Sequence, residues 1–205
     1  MMIRSEHAQR CERPDRCGGT GGTGDTEQSR GSAGVRVIEL YAEEQVRSRV
    51  AELAAQISGD ATGELVVVGI LKGAFVFMAD LIRQLSVPCR CDFLALQSYG
   101  ARSTSSGTPR LTHDLMLPLA GRDVLVVEDI VDTGISLRAS LDRIQRERPR
   151  SVRTCVLLDK PSRRTTDVPL DYVGFTVPDR FVVGYGIDWD ERFRNLPFIG
   201  YVEGV

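Results

Sequence analysis

The chain has 205 residues, of which 42% are hydrophobic and 26% are charged, a balance typical of a single globular domain that can bury a core. Its formal net charge of −2 provides no basic surface field for binding nucleic acid. No apolar run approaches the roughly 18–20 residues that span a bilayer, and no apolar segment near the N-terminus marks a secretory signal. We therefore expect neither a nucleic-acid nor a membrane partner.

The N-terminal residues have the composition of a disordered extension. Residues 4–34 contain no Val, Ile, Leu, Met, Phe, Tyr or Trp, and residues 17–34 are largely Gly, Ser and Thr. Such a segment cannot bury enough apolar surface to offset the entropy that it loses on ordering. Its GGTGGTG stretch lacks the preceding strand and the following Gly-Lys-Ser/Thr of a phosphate loop. The sequence predicts disorder over 1–34 and a folded domain over 35–205.

Four elements are predicted in the first half of the folded domain. Apolar residues recur every three to six positions from Ile38 to Ile57, which predicts a helix. The β-branched run LVVVGIL (65–71) is typical of a strand that is buried on both faces. A second helix is predicted over 72–86, and a strand over 89–97.

The second half continues the alternation after a polar loop. Residues 98–110 are rich in Ser, Gly and Arg and are long for a connection, which favours a functional loop. A buried strand over 124–127, a helix over 135–144 and a strand over 152–159 follow. Strands that alternate with helices predict an α/β fold with a mainly parallel central sheet flanked by helices.

The five cysteines predict no disulfide framework, because their number is odd and their spacing irregular. Cys89 and Cys91 would share one side of the strand in which they lie. A metal site there would require a second pair of Cys or His, which His7 and His113 are poorly placed to supply. We expect buried, reduced thiols and a cytoplasmic protein.

The segment VVEDIVDTGIS (126–136) carries the chemistry of the chain. It ends a predicted strand with three carboxylates and opens a helix, and ligands of open α/β sheets bind beyond the carboxyl ends of strands. Gly134 permits close approach to the backbone, and free N–H groups with the hydroxyls of Thr133 and Ser136 would cradle a phosphate. Carboxylates beside that cradle can accept hydrogen bonds from sugar hydroxyls and help to organise hydrated Mg²⁺.

A plainer interpretation of the same segment also exists. Asp132 or Thr133 could be an ordinary helix N-cap, and Glu128 with Asp129 could form an exposed turn. A Walker-type ATPase is disfavoured, because the chain has no Gly-Lys-Ser/Thr loop. The order of strand, acids, glycine and hydroxyls favours a phosphosugar ligand over these alternatives.

VVEDIVDTGIS resembles the phosphoribosyl-pyrophosphate signature of type I phosphoribosyltransferases. Three further parts narrow the resemblance to the hypoxanthine-guanine group: LKGAFVF (71–77) is similar to its pyrophosphate loop, SYG (98–100) to the start of its mobile loop, and LLDK (157–160) with 177–197 to its purine-binding end. The resemblance covers roughly residues 36–204. It implies the type I phosphoribosyltransferase fold, in which a small C-terminal hood accompanies the sheet.

The resemblance also implies an activity. It is the Mg²⁺-dependent transfer of 5-phosphoribosyl from phosphoribosyl pyrophosphate to hypoxanthine or guanine, which yields IMP or GMP and pyrophosphate in purine salvage. A homodimer or homotetramer is implied as well. One alternative is a nucleotide-sensing regulator that binds nucleic acid, but residues 1–34 carry five Arg against five Asp and Glu and so form no basic arm. Another is transfer to a different base, which Lys160 and the segment FVVGYGID (181–188) disfavour for pyrimidines.

Residue by residue, the resemblance assigns the phosphoribosyl-pyrophosphate site first. Glu128 and Asp129 would hold the ribose hydroxyls and bind metal, and Asp132 would act as general acid/base beside purine N7. A cis Leu71–Lys72 peptide would aim N–H groups at pyrophosphate. The complete set is Lys72, Gly73, Glu128, Asp129, Asp132, Thr133, Gly134, Ile135, Ser136 and Arg194. Lys72 could instead be a surface lysine at a helix start, although a cation has the wrong sign for that position.

The base site follows from the C-terminal motifs. Lys160 would donate to the purine 6-oxo group, Phe181 would stack on the base, the Val182 backbone would contact the ring edge, and Asp188 would bind a second Mg²⁺. Trp189 would pack nearby, and Ser98 and Tyr99 would close over the reacting centre. On residue type alone, Lys160 could face solvent, Phe181 and Val182 could be core residues, Asp188 and Arg194 could be exposed charges, and the loop could be a plain connector.

Overall fold

A computed structural model describes residues 35–97 and 110–204. The predicted extension over 1–34 and the loop residues Ser98 and Tyr99 lie outside this part of the chain. The strands are β1 (Val37–Tyr41), β2 (Leu65–Leu71), β3 (Cys89–Gln97), β4 (Arg110–His113), β5 (Asp123–Val131), β6 (Ser151–Asp159), β7 (Tyr172–Thr176), β8 (Val182–Val183) and β9 (Ile199–Val202), and the α-helices are α1 (Glu43–Asp60), α2 (Phe75–Gln84) and α3 (Ile135–Gln145).

A six-stranded sheet with the order β4-β3-β2-β5-β6-β7 forms the centre of the fold. Strand β4 is antiparallel to β3, and the other neighbours are parallel. The α/β fold with a mainly parallel sheet is therefore confirmed. The helix predicted over 72–86 is shorter than expected, since α2 begins at Phe75 and residues 72–74 form a turn.

Helices cover both faces of this sheet, and the strand alternation divides the core between them. On β2, Val67 packs in the cluster that contains α1 and α2 residues, whereas Val66 and Val68 pack in the cluster that contains α3 residues. Successive side chains of a strand point to opposite faces, so a fully apolar strand serves two cores at once. This explains why LVVVGIL shows no polar alternation.

A second, three-stranded sheet has the order β1-β9-β8 and provides the expected hood. The helix predicted from Ile38 was wrong over its first residues, because Val37–Tyr41 pairs antiparallel with β9 and places Ile38 opposite Tyr201. Helix α1 begins only at Glu43, where the Ala42 N–H donates to the Gln45 side chain at 2.9 Å and two acids occupy the first turn.

Two further observations concern the helices and the cysteines. Within the described residues, no helix has the length and apolarity that crossing a membrane would require. The described cysteines are free thiols, but only Cys155 is buried, while Cys91 is exposed and Cys89 is half-buried. The expectation of uniformly buried thiols was therefore wrong, because Cys89 and Cys91 lie on β3 close to its N-terminal end.

Candidate active site

A crevice opens where β2 and β5 stop pairing. Strand β2 leads through α2 to β3 on one side, and β5 leads through α3 to β6 on the other, so the chain reverses direction across the sheet at this pair. Their pairing ends at Gly69 and Val127, although β5 continues along β6 to Val131. Such a switch point is where open α/β sheets bind ligands.

Glu128 and Asp129 extend into this crevice from β5 itself, not from a turn after it. Glu128 is 8% exposed, and its Oε2 atom has no hydrogen-bond partner. Burial raises the pKa of Glu128 well above its ordinary value, and the neighbouring Asp129 charge adds to the rise. Burial likewise raises the pKa of Asp129 to about 6, although backbone hydrogen bonds from Ile130 and from Asp129 itself, and then the Arg194 charge, oppose the rise. A buried carboxylate oxygen without a partner, such as Glu128 Oε2, is costly for the fold and typical of working sites.

The loop before α3 forms a backbone cradle at the edge of the crevice. Gly134 is the N-cap of α3 and adopts a φ of 86°, so neither Asp132 nor Thr133 is the cap. The first turn of the helix contains no acidic residue, and Ile135 is 42% exposed there. The Ile135 N–H donates to the Thr133 hydroxyl at 3.4 Å, and with the half-buried Ser136 beside it the positive end of this helix suits an anion.

A second segment, 164–166, holds the cradle in place, and sequence reasoning missed it. The N–H groups of Thr165 and Thr166 donate to the Thr133 carbonyl at 3.1 and 3.0 Å. Arg164 donates to the Asp132 carbonyl at 3.1 Å and pairs with Asp159. Nothing in the spacing of these residues marks the contact, because it joins a loop after β6 to a loop after β5.

The Asp132 side chain has an unused hydrogen-bond acceptor. Its Oδ1 atom is buried and has no hydrogen-bond partner. Arg163 Nε lies 3.2 Å from that atom as an ion pair, but its N–H is not directed at the oxygen. Arg163 also reaches to 3.8 Å from Asp179. The carboxylate of Asp132 is therefore held near a cation and keeps an acceptor available.

The C-terminal residues assigned to the base lie together around β8. Lys160 is 7% exposed and donates to the Arg180 carbonyl at 2.9 Å, so the solvent-facing alternative was wrong. Phe181 is 48% exposed and is not a core residue, whereas Val182 is buried on β8. Trp189 packs its ring on Phe193 with 6.3 Å between centroids.

A group of charges completes the crevice opposite the cradle. Arg194 pairs with Asp188 at 2.7 Å and donates to the Gly186 carbonyl at 2.9 Å, and both charged side chains are mostly buried, not exposed. The Leu71–Lys72 peptide bond is cis, as the resemblance implied, and Lys72 Nζ pairs with Glu191 at 2.9 Å. Sequence reasoning did not single out Glu191.

The structure thus brings the acids of β5, the cradle and the charges of 188–194 to one end of the sheet. Gly73 lies directly against the Asp129 carboxylate, which joins the loop after β2 to β5. Within the described part of the chain, no three His, Cys, Asp or Glu side chains form a ready-made metal cluster. A metal ion here would need further ligands from a substrate or from water.

Comparison with known proteins agrees with this geometry. The family model described as "Phosphoribosyl transferase domain" matches residues 37–190. The hypoxanthine phosphoribosyltransferase of Salmonella typhimurium is 45% identical over 163 residues, which are 78% of this chain and 92% of that protein. The hypoxanthine-guanine phosphoribosyltransferase of Aquifex aeolicus is 44% identical over 172 residues, with 83% and 97% covered.

Solved structures give the same result. A crystal structure of a hypoxanthine-guanine phosphoribosyltransferase from Bacillus anthracis superimposes with a TM-score of 0.77 at 43% identity, covering 82% of this chain and 99% of that one. A hypoxanthine phosphoribosyltransferase from Staphylococcus aureus gives 0.77 at 40% identity, covering 81% and 91%. The chain therefore belongs to the phosphoribosyltransferase family, within its hypoxanthine-guanine group.

Proposed function

We propose that this protein transfers 5-phosphoribosyl from phosphoribosyl pyrophosphate to hypoxanthine or guanine, giving IMP or GMP and pyrophosphate for purine salvage. One observation carries the proposal: the buried Glu128, with an unpartnered oxygen, and the half-buried Asp129 lie beside a helix N-terminus that has a glycine N-cap and no acid in its first turn, at the switch point of the sheet. A ligand with hydroxyls at one end and a phosphate at the other satisfies both features at once.

Glu128 and Asp129 would hold the ribose. Glu128 Oε2 is a buried acceptor without a donor, and a ribose 2′- or 3′-hydroxyl is a donor of the right kind. Binding of those hydroxyls would offset the desolvation that raises the pKa of both carboxylates in the free protein. The ribose would thereby be fixed relative to the base site.

The cradle would bind the 5′-phosphate. Its donors are the N–H groups from Asp132 to Ser136 and the hydroxyls of Thr133 and Ser136. The absence of acidic residues from the first turn of α3 leaves the positive end of the helix free for an anion. The contacts of 164–166 with Thr133 would keep the cradle in its binding geometry before substrate arrives.

The acids of the crevice fit a divalent cation. Glu128 and Asp129 are carboxylates whose charge the protein compensates poorly, and Asp188 lies on the opposite side with Arg194 as its partner. These residues would hold one or two Mg²⁺ ions together with oxygens of pyrophosphate and water. Bound Mg²⁺ would neutralise the negative charge of the pyrophosphate leaving group.

The base would lie between the exposed Phe181 ring and the reacting carbon. Phe181 offers an uncovered face for stacking, and Lys160 is held as a buried donor at the base end for the 6-oxo group. The Val182 backbone would contact the ring edge. Asp132, with its free acceptor, would take the proton that the purine releases as its nitrogen attacks C1′ with inversion.

The remaining chemistry is positioning and water exclusion. The transition state has oxocarbenium character at the ribose, and water would capture it in an open site. Ser98 and Tyr99 would close over it, and Lys72, Gly73 and Arg194 would bind the pyrophosphate.

We also propose a cytoplasmic location and a homodimer or homotetramer. Light scattering of the purified chain tests the oligomeric state. For one relative, the hypoxanthine phosphoribosyl transferase of Trypanosoma cruzi, the C-terminal region has a role in the oligomeric state.

A base-panel assay tests the function. Purified protein is incubated with phosphoribosyl pyrophosphate, Mg²⁺ and hypoxanthine, guanine, xanthine, adenine, uracil or orotate, and nucleotide is measured by chromatography. We expect IMP or GMP with an equal amount of pyrophosphate, and no product when Mg²⁺ is chelated. The proposal is overturned if neither hypoxanthine nor guanine gives a nucleotide. It is also overturned if the main product is a pyrimidine nucleotide.

A further inference from the structure

Glu191 occupies the space between the two cations of the crevice mouth. Its Oε1 atom lies 2.9 Å from Lys72 Nζ, and its Oε2 atom lies 3.1 Å from the Arg194 guanidinium. Each oxygen of one carboxylate therefore accepts from a different cation. These are the two side chains that the proposed function assigns to pyrophosphate, and Glu191 is bound to both of them.

The backbone holds Glu191 in this bridging position. Its φ is 59°, a left-handed conformation that glutamate rarely adopts, and Asp190 before it has a φ of 53°. The Glu191 N–H donates to Asp188 at 2.8 Å, and Trp189 and Arg192 exchange two backbone hydrogen bonds of 3.1 Å that close the turn. The carboxylate is thus presented by a fixed turn, not by a freely moving surface chain.

Stability alone does not account for the bridge. Lys72 and Glu191 have side chains that are 67% and 66% exposed, and an ion pair at such exposure contributes little to folding. The Arg194 side chain is only 20% exposed, but it is already paired with Asp188 at 2.7 Å, closer than its 3.1 Å to Glu191. A left-handed glutamate, in contrast, is unfavourable for the fold. An arrangement that costs conformational free energy and returns little stability indicates a role in binding.

We propose that Glu191 is an internal placeholder for pyrophosphate, an inference that rests on the proposed function. In the free enzyme its carboxylate pairs with Lys72 and, together with Asp188, with Arg194, and a pyrophosphate group must displace it to reach both cations. The free energy with which a pyrophosphate-bearing ligand binds the two cations is then reduced by the free energy needed to displace the Glu191 carboxylate from them. The same competition favours release of the pyrophosphate product. Glu191 is thereby an affinity-determining residue that acts through the two cations.

Glu191→Gln in the full chain tests this inference, because the amide keeps the size of the side chain and removes its charge. We expect the Kd of Mg²⁺-pyrophosphate, measured by calorimetry, and the KM for phosphoribosyl pyrophosphate to fall by about two-fold to ten-fold, the range expected for loss of exposed ion pairs. The KM for hypoxanthine should not change. Glu191→Ala should act in the same direction, and thermal unfolding of each variant establishes that it is folded.

Asp190→Asn is the matched control. It removes one negative charge from the adjacent residue, which pairs with Arg192 at 2.9 Å and has a side chain that is 75% exposed. Within the described part of the chain, Asp190 forms no ion pair with Lys72 or Arg194, so pyrophosphate affinity should stay at the wild-type value. An equal gain of affinity in Asp190→Asn would show a general charge effect and overturn the placeholder.

The outcomes separate the inference from the function on which it rests. If wild-type protein forms IMP or GMP but both Glu191 variants bind pyrophosphate with unchanged or weaker affinity, Glu191 is not a competitor and the inference is wrong while the function stands. If wild-type protein makes no nucleotide from hypoxanthine or guanine, the proposed function fails, and the inference fails with it. Tighter binding in both Glu191 variants, without a change in Asp190→Asn, supports it.

Discussion

Gly73 and Asp129 touch so closely that a Cβ built on Gly73 would lie 1.8 Å from Asp129 Oδ2. This contact joins the loop after β2 to the end of β5 across the crevice, where the two strands no longer pair. A side chain at position 73 would occupy the place of the carboxylate, so glycine leaves Asp129 where it lies. The position of Asp129 therefore depends on the absence of a side chain in another segment of the chain.

Gly73→Ala should consequently impair substrate binding more than folding. The added methyl group must displace either Asp129 or the loop, and displacement of a positioning group by about 1 Å can cost on the order of 10²-fold in rate. We expect kcat/KM for phosphoribosyl pyrophosphate to fall by about that factor in steady-state assays. Gly63→Ala is the control, because nothing lies within 4 Å of its added Cβ. Near-native kinetics in Gly73→Ala would show that the contact is irrelevant to the site.

Gly134→Val should disrupt the phosphate cradle by displacing the segment that supports it. Residue 134 has a φ of 86°, and its Cβ would meet the Thr166 carbonyl oxygen at 2.5 Å, so the substitution strains the backbone and pushes away the segment that supports the cradle. We expect a strong rise in the KM for phosphoribosyl pyrophosphate in a protein that still folds, with a stability loss of about 2 kcal/mol or more in urea unfolding.

Gly121→Val separates these two effects. Its φ is 69°, but nothing lies within 4 Å of the added Cβ, so it carries the backbone strain without the steric clash. Its KM should match that of the wild type. If Gly134→Val binds substrate normally, the cradle does not depend on the geometry of this loop.

The sequence was informative where the chemistry lies within one segment. VVEDIVDTGIS carries its strand, acids and helix start in eleven consecutive residues, and the structure keeps that order. Contacts between distant segments left no such trace: β1 was mistaken for helix because its partner is β9, and Glu191 was missed because Lys72 lies 119 positions away. Periodicity reports the local environment of a side chain, not the identity of a distant neighbour.

Asp123 lies at the end of the sheet away from the site, and it should make the stability of the folded protein sensitive to acid. Hydrogen bonds from Arg150 and from the Ser151 hydroxyl hold the pKa of Asp123 well below its ordinary value. A lowered pKa means that the unfolded chain binds the proton more readily, so this stability is present above the unfolded pKa of about 3.9 and is lost as pH falls below it.

Urea unfolding of wild type and Asp123→Asn from pH 7 to pH 2.5 measures this contribution. We expect the variant to be less stable by about 2 kcal/mol at pH 7, with the difference shrinking below about pH 4. Asp190→Asn, on an exposed carboxylate, should follow the wild-type curve. Parallel curves for wild type and Asp123→Asn across the whole range would contradict the assignment.

Residues 1–34 should be dispensable for folding and catalysis. Their composition offers no large apolar residues beyond Met1, Met2 and Ile3, so deletion removes little surface that a core could use. We expect an unchanged melting temperature by calorimetry and unchanged kcat/KM. A loss of several degrees would show that the segment packs on the domain.

Asp132 should carry the proton chemistry at the base. A purine that attacks through N9 must lose a proton or shift it to N7, and Asp132 Oδ1 is a buried acceptor without a hydrogen-bond partner. Asp132→Asn preserves the size of the side chain but cannot accept the proton, and general acid–base groups contribute about 10²–10⁴-fold. We expect kcat to fall by that factor with a modest change in phosphoribosyl-pyrophosphate binding.

Two controls identify the cause of that loss. Arg163→Gln removes the cation that lies 3.2 Å from Asp132 but leaves the carboxylate, so its effect on kcat should be smaller. Glu128→Gln should weaken ribose positioning more than proton transfer, and therefore raise the KM for phosphoribosyl pyrophosphate. Since product release can mask slow chemistry, all variants are compared in single turnover with enzyme in excess over substrate. A near-native single-turnover rate in Asp132→Asn would show that Asp132 is only an ion-pair partner of Arg163 and takes no part in the reaction.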